Sequence, residues 1–138
     1  MRTNGNSGFV FINHYQRLAK LSDIKDVVID TGKVKFPSID ICGDVSFFLP
    51  FSMEMSGNML EYATAQPLCR INDTYFFAAI EGIDAEYKFM GKGRCSQKPN
   101  DIIRINNIQI VTLSWDRARY ARKLSDTLYI GDHCDIYE

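Results

Sequence analysis

Short stretches in which apolar and polar residues alternate dominate the chain, and pairs of turn-forming residues separate several of them. The clearest example places Ile103-Arg104-Ile105 and Ile108-Gln109-Ile110 on the two sides of Asn106-Asn107. Asparagine tolerates the positive φ of a type I′ turn, so this pattern predicts a hairpin. Its four isoleucines would share one face, which we expect to lie in the core, while Arg104 and Gln109 meet on the other.

Two other segments have the same form. One hairpin is predicted over 68–77, with its turn at Asn72-Asp73. Another is predicted over 27–36, where a two-residue turn would pair Asp30 with Lys33 and give a cross-strand ion pair. Three tight hairpins in one chain favour an antiparallel sheet.

Runs rich in β-branched and aromatic residues predict further strands. They lie at residues 9–12, 45–49, 87–90 and 127–130.

Helical patterns are fewer than strand patterns. The spacing of Tyr15, Leu18 and Leu21 predicts a two-turn helix over 14–21. Ser56 is a candidate N-cap for a second short helix that extends to Ala63.

A third helix is predicted near 114–124. Ser114 is a favourable N-cap, and Asp116 lies in the first turn, where a carboxylate complements the helix dipole. On such a helix the apolar side chains fall on one side, and Arg119, Arg122 and Lys123 project from the other.

The predicted fold is mainly β, with an α+β fold as the alternative. Many short antiparallel strands must protect their edges, so we expect a barrel-like or two-sheet domain with one or two short helices. A chain of 138 residues is long enough for one domain and short for two. We therefore expect residues 1–138 to form a single globular domain.

Composition supports a packed core, because 46% of the residues are hydrophobic and 12% are aromatic. No apolar run is long enough to span a bilayer, and we see no pattern of an export signal. We expect a soluble cytoplasmic protein that does not bind membranes.

The cysteines at 42, 69, 95 and 134 lack the spacing of a zinc or redox motif. We therefore expect no metal, no disulfide and no cofactor.

Charge is unevenly distributed, although the net charge is only −1. Residues 87–123 carry +7 and the rest of the chain carries −8. Such asymmetry predicts a basic binding surface. An indole beside guanidinium groups could also stack bases or nucleotides. The candidate residues for this basic surface are Lys92, Arg94, Arg104, Arg119, Arg122, Lys123 and Trp115.

Three functions are consistent with this pattern. We favour a non-catalytic binding module whose basic surface engages an acidic protein partner or a second copy of itself. The alternative is a β-barrel protein that binds nucleic acid or a nucleotide. The third is a small enzyme that uses His133 and Cys134, with Asp135 beside them. No known catalytic motif is present, so the sequence identifies no reaction.

Overall fold

The computed structural model describes residues 1–131 and, as backbone only, residues 135–137. Strands dominate these residues, which confirms the prediction of a mainly β fold, and one helix, α1 (Trp115–Arg119), accompanies them. The strands are β1 (Arg2–Asn4), β2 (Ser7–His14), β3 (Ile24–Val27), β4 (Ile39–Ile41), β5 (Val45–Met55), β6 (Asn58–Ala63), β7 (Gln66–Ile71), β8 (Thr74–Ala78), β9 (Ala85–Phe89), β10 (Arg94–Gln97), β11 (Asp101–Ile105), β12 (Ile108–Leu113), β13 (Ala121–Leu124), β14 (Thr127–Ile130) and β15 (Asp135–Tyr137).

These strands form several stacked sheets. The large sheet is antiparallel and has the order β1-β2-β5-β6-β9-β10. The central sheet has the order β11-β12-β8-β7, and its middle pair, β12 and β8, is parallel. The outer sheet contains β13-β14-β15, and β3 pairs with β4 in a separate ribbon. The described strands do not close into a barrel, so the two-sheet alternative of the prediction is the one confirmed.

The main core lies between the large sheet and the central sheet. Leu60, Tyr87 and Phe89 from the large sheet are buried against Phe77 and Ile110 from the central sheet. Their separation from water is the main favourable term in folding. The opposite face of the central sheet is buried by the outer sheet, so the central sheet has apolar residues on both faces.

The isoleucine hairpin is confirmed in its predicted register. Ile105 pairs with Ile108, and Arg104 pairs with Gln109. Ile105, Ile108 and Ile110 are buried in the main core, and Ile103 packs against it. The hairpin over 68–77 is confirmed as well, with β7 and β8 joined at Asn72-Asp73.

The predicted register of the hairpin over 27–36 is wrong. Asp30 bridges to Lys35 rather than pairing with Lys33, so four residues form the connection instead of two. Thr31 closes this connection, because its amide and its hydroxyl both donate to the Val34 carbonyl oxygen. Val34 and Phe36 are nevertheless buried together, because a shift of two residues keeps the same side chains on one face.

Two of the predicted helices are absent from the described residues. Residues 15–20 form an exposed loop that follows β2, with a Gln16–Ala19 bridge in place of a helical turn. Ser56 and Gly57 form the turn between β5 and β6, and both have positive φ. That backbone conformation is typical of a type I′ hairpin turn and is incompatible with a helix.

The helix predicted near 114–124 begins as expected and ends early. The Ser114 hydroxyl accepts a hydrogen bond from the Arg117 amide and so caps α1. The helix stops at Arg119, because residues 121–124 pair with β14 as strand β13. Arg122 and Lys123 are therefore strand residues, and the two-sided helix on which their common face was predicted does not form.

The strand directions give the molecule two distinct ends. At the turn end, the turns 56–57, 90–93, 106–107 and 72–73 lie together, and the Lys92 ammonium donates to Asn106 Oδ1 at 2.7 Å. At the opposite end, which we call the loop end, strands β8 and β12 are followed by Ala79 and Ser114.

Candidate functional site

A cleft of about 710 Å³ opens at the loop end. Three segments of the chain line it: 79–85, 96–99 and 114–116. We call it the Trp115 cleft, because the only tryptophan of the chain, half-buried, is one of its walls. A volume of about 710 Å³ is within the range of clefts that enclose a small ligand or a few side chains of a partner.

The Trp115 cleft has an apolar floor and a negatively charged lining. Ile80 and Ile83 are buried members of the core beneath it. The lining includes the exposed carboxylates of Glu81, Asp84 and Asp116 and one cation, Lys98. Among the described residues, none of these carboxylates forms an ion pair. Negative charge beside an indole face favours the binding of a cation, above all a lysine or arginine side chain.

A buried chain of hydrogen bonds fixes one wall of the cleft. Gln97 Oε1 accepts from the Thr112 hydroxyl at 2.6 Å, and that hydroxyl lies 2.7 Å from the Tyr87 hydroxyl. Gln97 Nε2 donates to the Asp101 carbonyl oxygen at 2.6 Å. Burial raises the pKa of Tyr87, so its hydroxyl stays protonated and can donate to Thr112. A fully satisfied buried network is rigid, so the wall is preorganised.

Gly82 allows the second wall to approach strand β4. Its φ is +78°, a conformation that side-chain-bearing residues rarely adopt. A Cβ atom at this position would lie 2.5 Å from Cys42 Sγ. The backbone conformation therefore favours glycine, and a side chain at this position would displace the thiol of Cys42, the residue that follows β4.

The loop of residues 15–20, which we call the tip loop, lies at the same end as the Trp115 cleft. Just after the tip loop, Leu21 contacts Gly43, whose amide also donates to Asp23 Oδ1 at 2.9 Å. Gly43 is the neighbour of Cys42, on which Gly82 packs. The end of the tip loop is thus connected to the cleft wall through two successive contacts.

Leu18 at the apex of the tip loop has two unfavourable features. Its side chain is 98% exposed, and its φ is +63°. The left-handed conformation costs a residue with a Cβ atom roughly 1–2 kcal/mol, and glycine or asparagine is the usual occupant. The backbone strain, rather than the exposure alone, motivates the hypothesis that the loop makes a functional contact.

The structure distributes the predicted basic residues over several places. Lys92 and Arg104 lie at the turn end, since Lys92 reaches the turn that follows Arg104. Arg94 lies on β10, with its Nε 3.8 Å from a carboxylate oxygen of Glu86. These three residues are exposed, and among them Arg94 alone forms an ion pair with a described residue.

The other four predicted residues belong to α1 and β13. Trp115 and Arg119 are one helical turn apart on α1. The Arg122 guanidinium donates to the carbonyl oxygens of Arg119 and Ala121, at 3.2 Å and 2.8 Å. The Lys123 ammonium donates to the carbonyl oxygen of Arg70 at 2.8 Å, so it connects the outer sheet to the end of β7. Arg122 and Lys123 thus have local structural contacts.

The predicted catalytic candidates, His133 and Cys134, lie outside the described residues, and only the backbone of Asp135 is described, within β15. In the described part of the chain, no group of three or more His, Cys, Asp or Glu side chains is placed to hold a metal ion. Cys42, Cys69 and Cys95 are free thiols, and burial raises the pKa of Cys69.

Sequence reasoning did not identify the Trp115 cleft or the tip loop. Glu81 and Asp84 have no distinctive spacing, and they meet Asp116 only because β8, β10 and β12 end at the same place. The one usable signal was Gly82, which interrupts an apolar run, directly follows Glu81 and precedes Asp84 by two residues.

Comparison of the sequence with models of known protein families finds no match. Comparison with curated proteins finds no significant relative either. Among the described residues, no helix has the length and apolar character needed to cross a membrane.

Proposed function

We propose that this protein is a non-catalytic binding module and that the Trp115 cleft receives a cationic segment of a protein partner. The observation that carries the proposal is the composition of the cleft, whose lining combines three exposed carboxylates, one lysine and the half-buried Trp115 over an apolar floor. A basic side chain would gain Coulomb attraction and a cation–π contact there, and a neighbouring apolar side chain would cover Ile80 or Ile83.

The supporting walls are suited to binding. The Gln97–Thr112–Tyr87 hydrogen bonds hold one wall in place, and Gly82 holds the other against β4. A preformed site loses little conformational entropy when it binds, which favours recognition. The described residues that line the cleft include no histidine and no cysteine, and we propose that the cleft binds a partner without a covalent step.

Fluorescence anisotropy of a labelled peptide tests this function. A hexapeptide of alternating arginine and leucine should bind saturably, and a hexapeptide of alternating glutamate and leucine should not. The double variant Asp84→Asn, Asp116→Asn should weaken the arginine peptide about tenfold, because partly buried charge pairs contribute about 1–2 kcal/mol. Equal binding of the two peptides, or no effect of the variant, would refute the proposal.

The turn end supports a second candidate function, the binding of an acidic protein segment. Lys92 and Arg104 both lie at this end, and neither forms an ion pair with another described residue. The double variant Lys92→Glu, Arg104→Glu should abolish binding of the glutamate peptide if this surface is used. Binding of a nucleic acid instead would give a steep salt dependence, with a slope of about −0.7 to −0.9 per phosphate contact.

A further inference from the structure

The tip loop and the Trp115 cleft are complementary in charge and in the placement of apolar groups between charged ones. The loop presents the exposed Leu18 between two exposed cations, Arg17 and Lys20. The cleft presents an apolar floor between exposed carboxylates, which include Glu81 and Asp84. An apolar side chain flanked by positive charge is the ligand that such a cleft is suited to receive.

The loop does not occupy the cleft of its own chain. Leu18 is 98% exposed, and no residue of the tip loop is among those that line the cleft. Because loop and cleft lie at the same end, two copies that face each other through this end can exchange their loops reciprocally. Such an exchange is the isologous contact of a two-fold dimer, the commonest symmetry of homo-oligomers.

We propose that the tip loop of one copy inserts Leu18 into the Trp115 cleft of a second copy, and that the second copy returns the same contact. This inference rests on the proposed function, since it identifies the cationic segment that the cleft receives. It also explains why a leucine occupies a left-handed position that glycine or asparagine would fill without strain.

The first test compares two substitutions by sedimentation velocity over a range of protein concentrations. The wild-type chain should show a monomer–dimer equilibrium. Leu18→Asn should raise the dimer dissociation constant about tenfold or more, because a central apolar anchor is lost. At concentrations where both chains are monomeric, the same variant should unfold at an equal or higher temperature, because asparagine tolerates the left-handed conformation.

Leu124→Asn is the matched control. Leu124 is also an exposed leucine, 68% accessible, but it lies at the end of β13 away from the residues that line the cleft. This variant should dimerise as the wild type does. A wild-type chain that stays monomeric at every concentration, or a dimer that Leu18→Asn leaves intact, would overturn the inference.

A charge exchange identifies the contact itself. Arg17→Glu with Lys20→Glu should dissociate the dimer, and Glu81→Lys with Asp84→Lys should do the same. An equimolar mixture of the two double variants should dimerise again, because each mixed pair restores opposite charges at both contacts. Failure of the mixture to dimerise would contradict the inference.

The peptide titration and the sedimentation experiment distinguish dimerisation through the tip loop from the proposed function of the cleft. If the arginine peptide binds the cleft and the chain remains monomeric, the function stands and the self-recognition is wrong. If neither the peptide nor a second copy binds, both are wrong.

Discussion

At the scale of single residues, Asp40 stabilises the ribbon of β3 and β4. Its carboxylate accepts a hydrogen bond from the Asp26 amide at 3.0 Å and another from the Lys25 ammonium at 3.1 Å. The amide hydrogen bond, followed by the Lys25 contact, lowers the pKa of Asp40 below its usual value of 3.8. The same contact raises the pKa of Lys25.

This shift predicts a pH dependence of stability. Because the pKa of Asp40 is lower in the folded state, its contribution is fully present above pH 3.8 and is lost as the pH falls through the folded-state value. The difference in unfolding free energy between wild type and Asp40→Asn should therefore shrink below pH 3.8. Chemical denaturation from pH 2 to pH 7 measures this difference in unfolding free energy. A difference that grows as the pH falls would be inconsistent with the contacts of Asp40 with Asp26 and Lys25. Lys25→Met should remove part of the same pH-dependent difference.

Gly82 provides a second prediction at this scale. Gly82→Ala should destabilise the fold by more than about 1 kcal/mol, because alanine is unfavourable at positive φ and its Cβ would clash with Cys42. Gly32→Ala is the matched control, since Gly32 has φ +79° and no atom within 4 Å of the Cβ position. If both variants lower the thermal unfolding temperature equally, the contact between residue 82 and Cys42 contributes nothing to stability.

At the scale of elements, local turn chemistry accounts for which predictions succeeded. The hairpins at Asn72-Asp73 and Asn106-Asn107 were predictable, because asparagine favours the positive φ that both Asn72 and Asn106 adopt. The hairpin at Ser56-Gly57 was missed, because serine at positive φ is uncommon and its spacing to Leu60 also suits a helix. Sequence alone could not separate the two readings.

The other errors arose from tertiary pairing. Residues 121–124 have helical charge patterning, but pairing with β14 gives them hydrogen-bond partners and packs Ala121 against the apolar residues between the central and outer sheets. The spacing of Tyr15, Leu18 and Leu21 resembles a helix face, yet Tyr15 and Leu18 are exposed. The position of this loop at the loop end depends on how β2 pairs with β5, which no local pattern encodes. The cleft was unpredictable for the same reason.

The strand register of the isoleucine hairpin, formed by β11 and β12, can be tested by two substitutions. Ile105→Ala should cost about 2–5 kcal/mol, because it leaves a cavity in the main core. Arg104→Ala, its neighbour on the exposed face, should cost no more than about 0.5 kcal/mol. Urea denaturation of the two variants checks this, and equal losses would show that the strand register is different.

The buried hydrogen bonds of Gln97, Thr112 and Tyr87, which fix one wall of the cleft, give a further testable prediction. Thr112→Val keeps the shape of the side chain but removes the hydroxyl that links Tyr87 to Gln97. Both partners are buried, so the variant should lose about 1–3 kcal/mol of stability. Thr127→Val, at a half-buried threonine of β14, serves as the control and should cost less. A Thr112→Val variant as stable as the wild type would exclude a structural role for these hydrogen bonds.

At the scale of the whole molecule, the central sheet joins the parts of the structure. Its two faces belong to two different apolar clusters, one shared with the large sheet and one shared with the outer sheet. We therefore propose that residues 1–138 unfold as one domain. Calorimetry should show a single transition whose calorimetric and van't Hoff enthalpies agree, and two separated transitions would contradict this proposal.

We propose the Trp115 cleft as the binding site, and the indole N–H resonance of Trp115 reports on it. The chain has one tryptophan, so a ¹H–¹⁵N correlation spectrum contains one indole signal that reports on the cleft. Titration with the arginine–leucine hexapeptide should shift this signal saturably, and the glutamate–leucine hexapeptide should leave it unchanged. An indole signal that stays in place while the arginine peptide binds would contradict the account, because binding would then occur elsewhere.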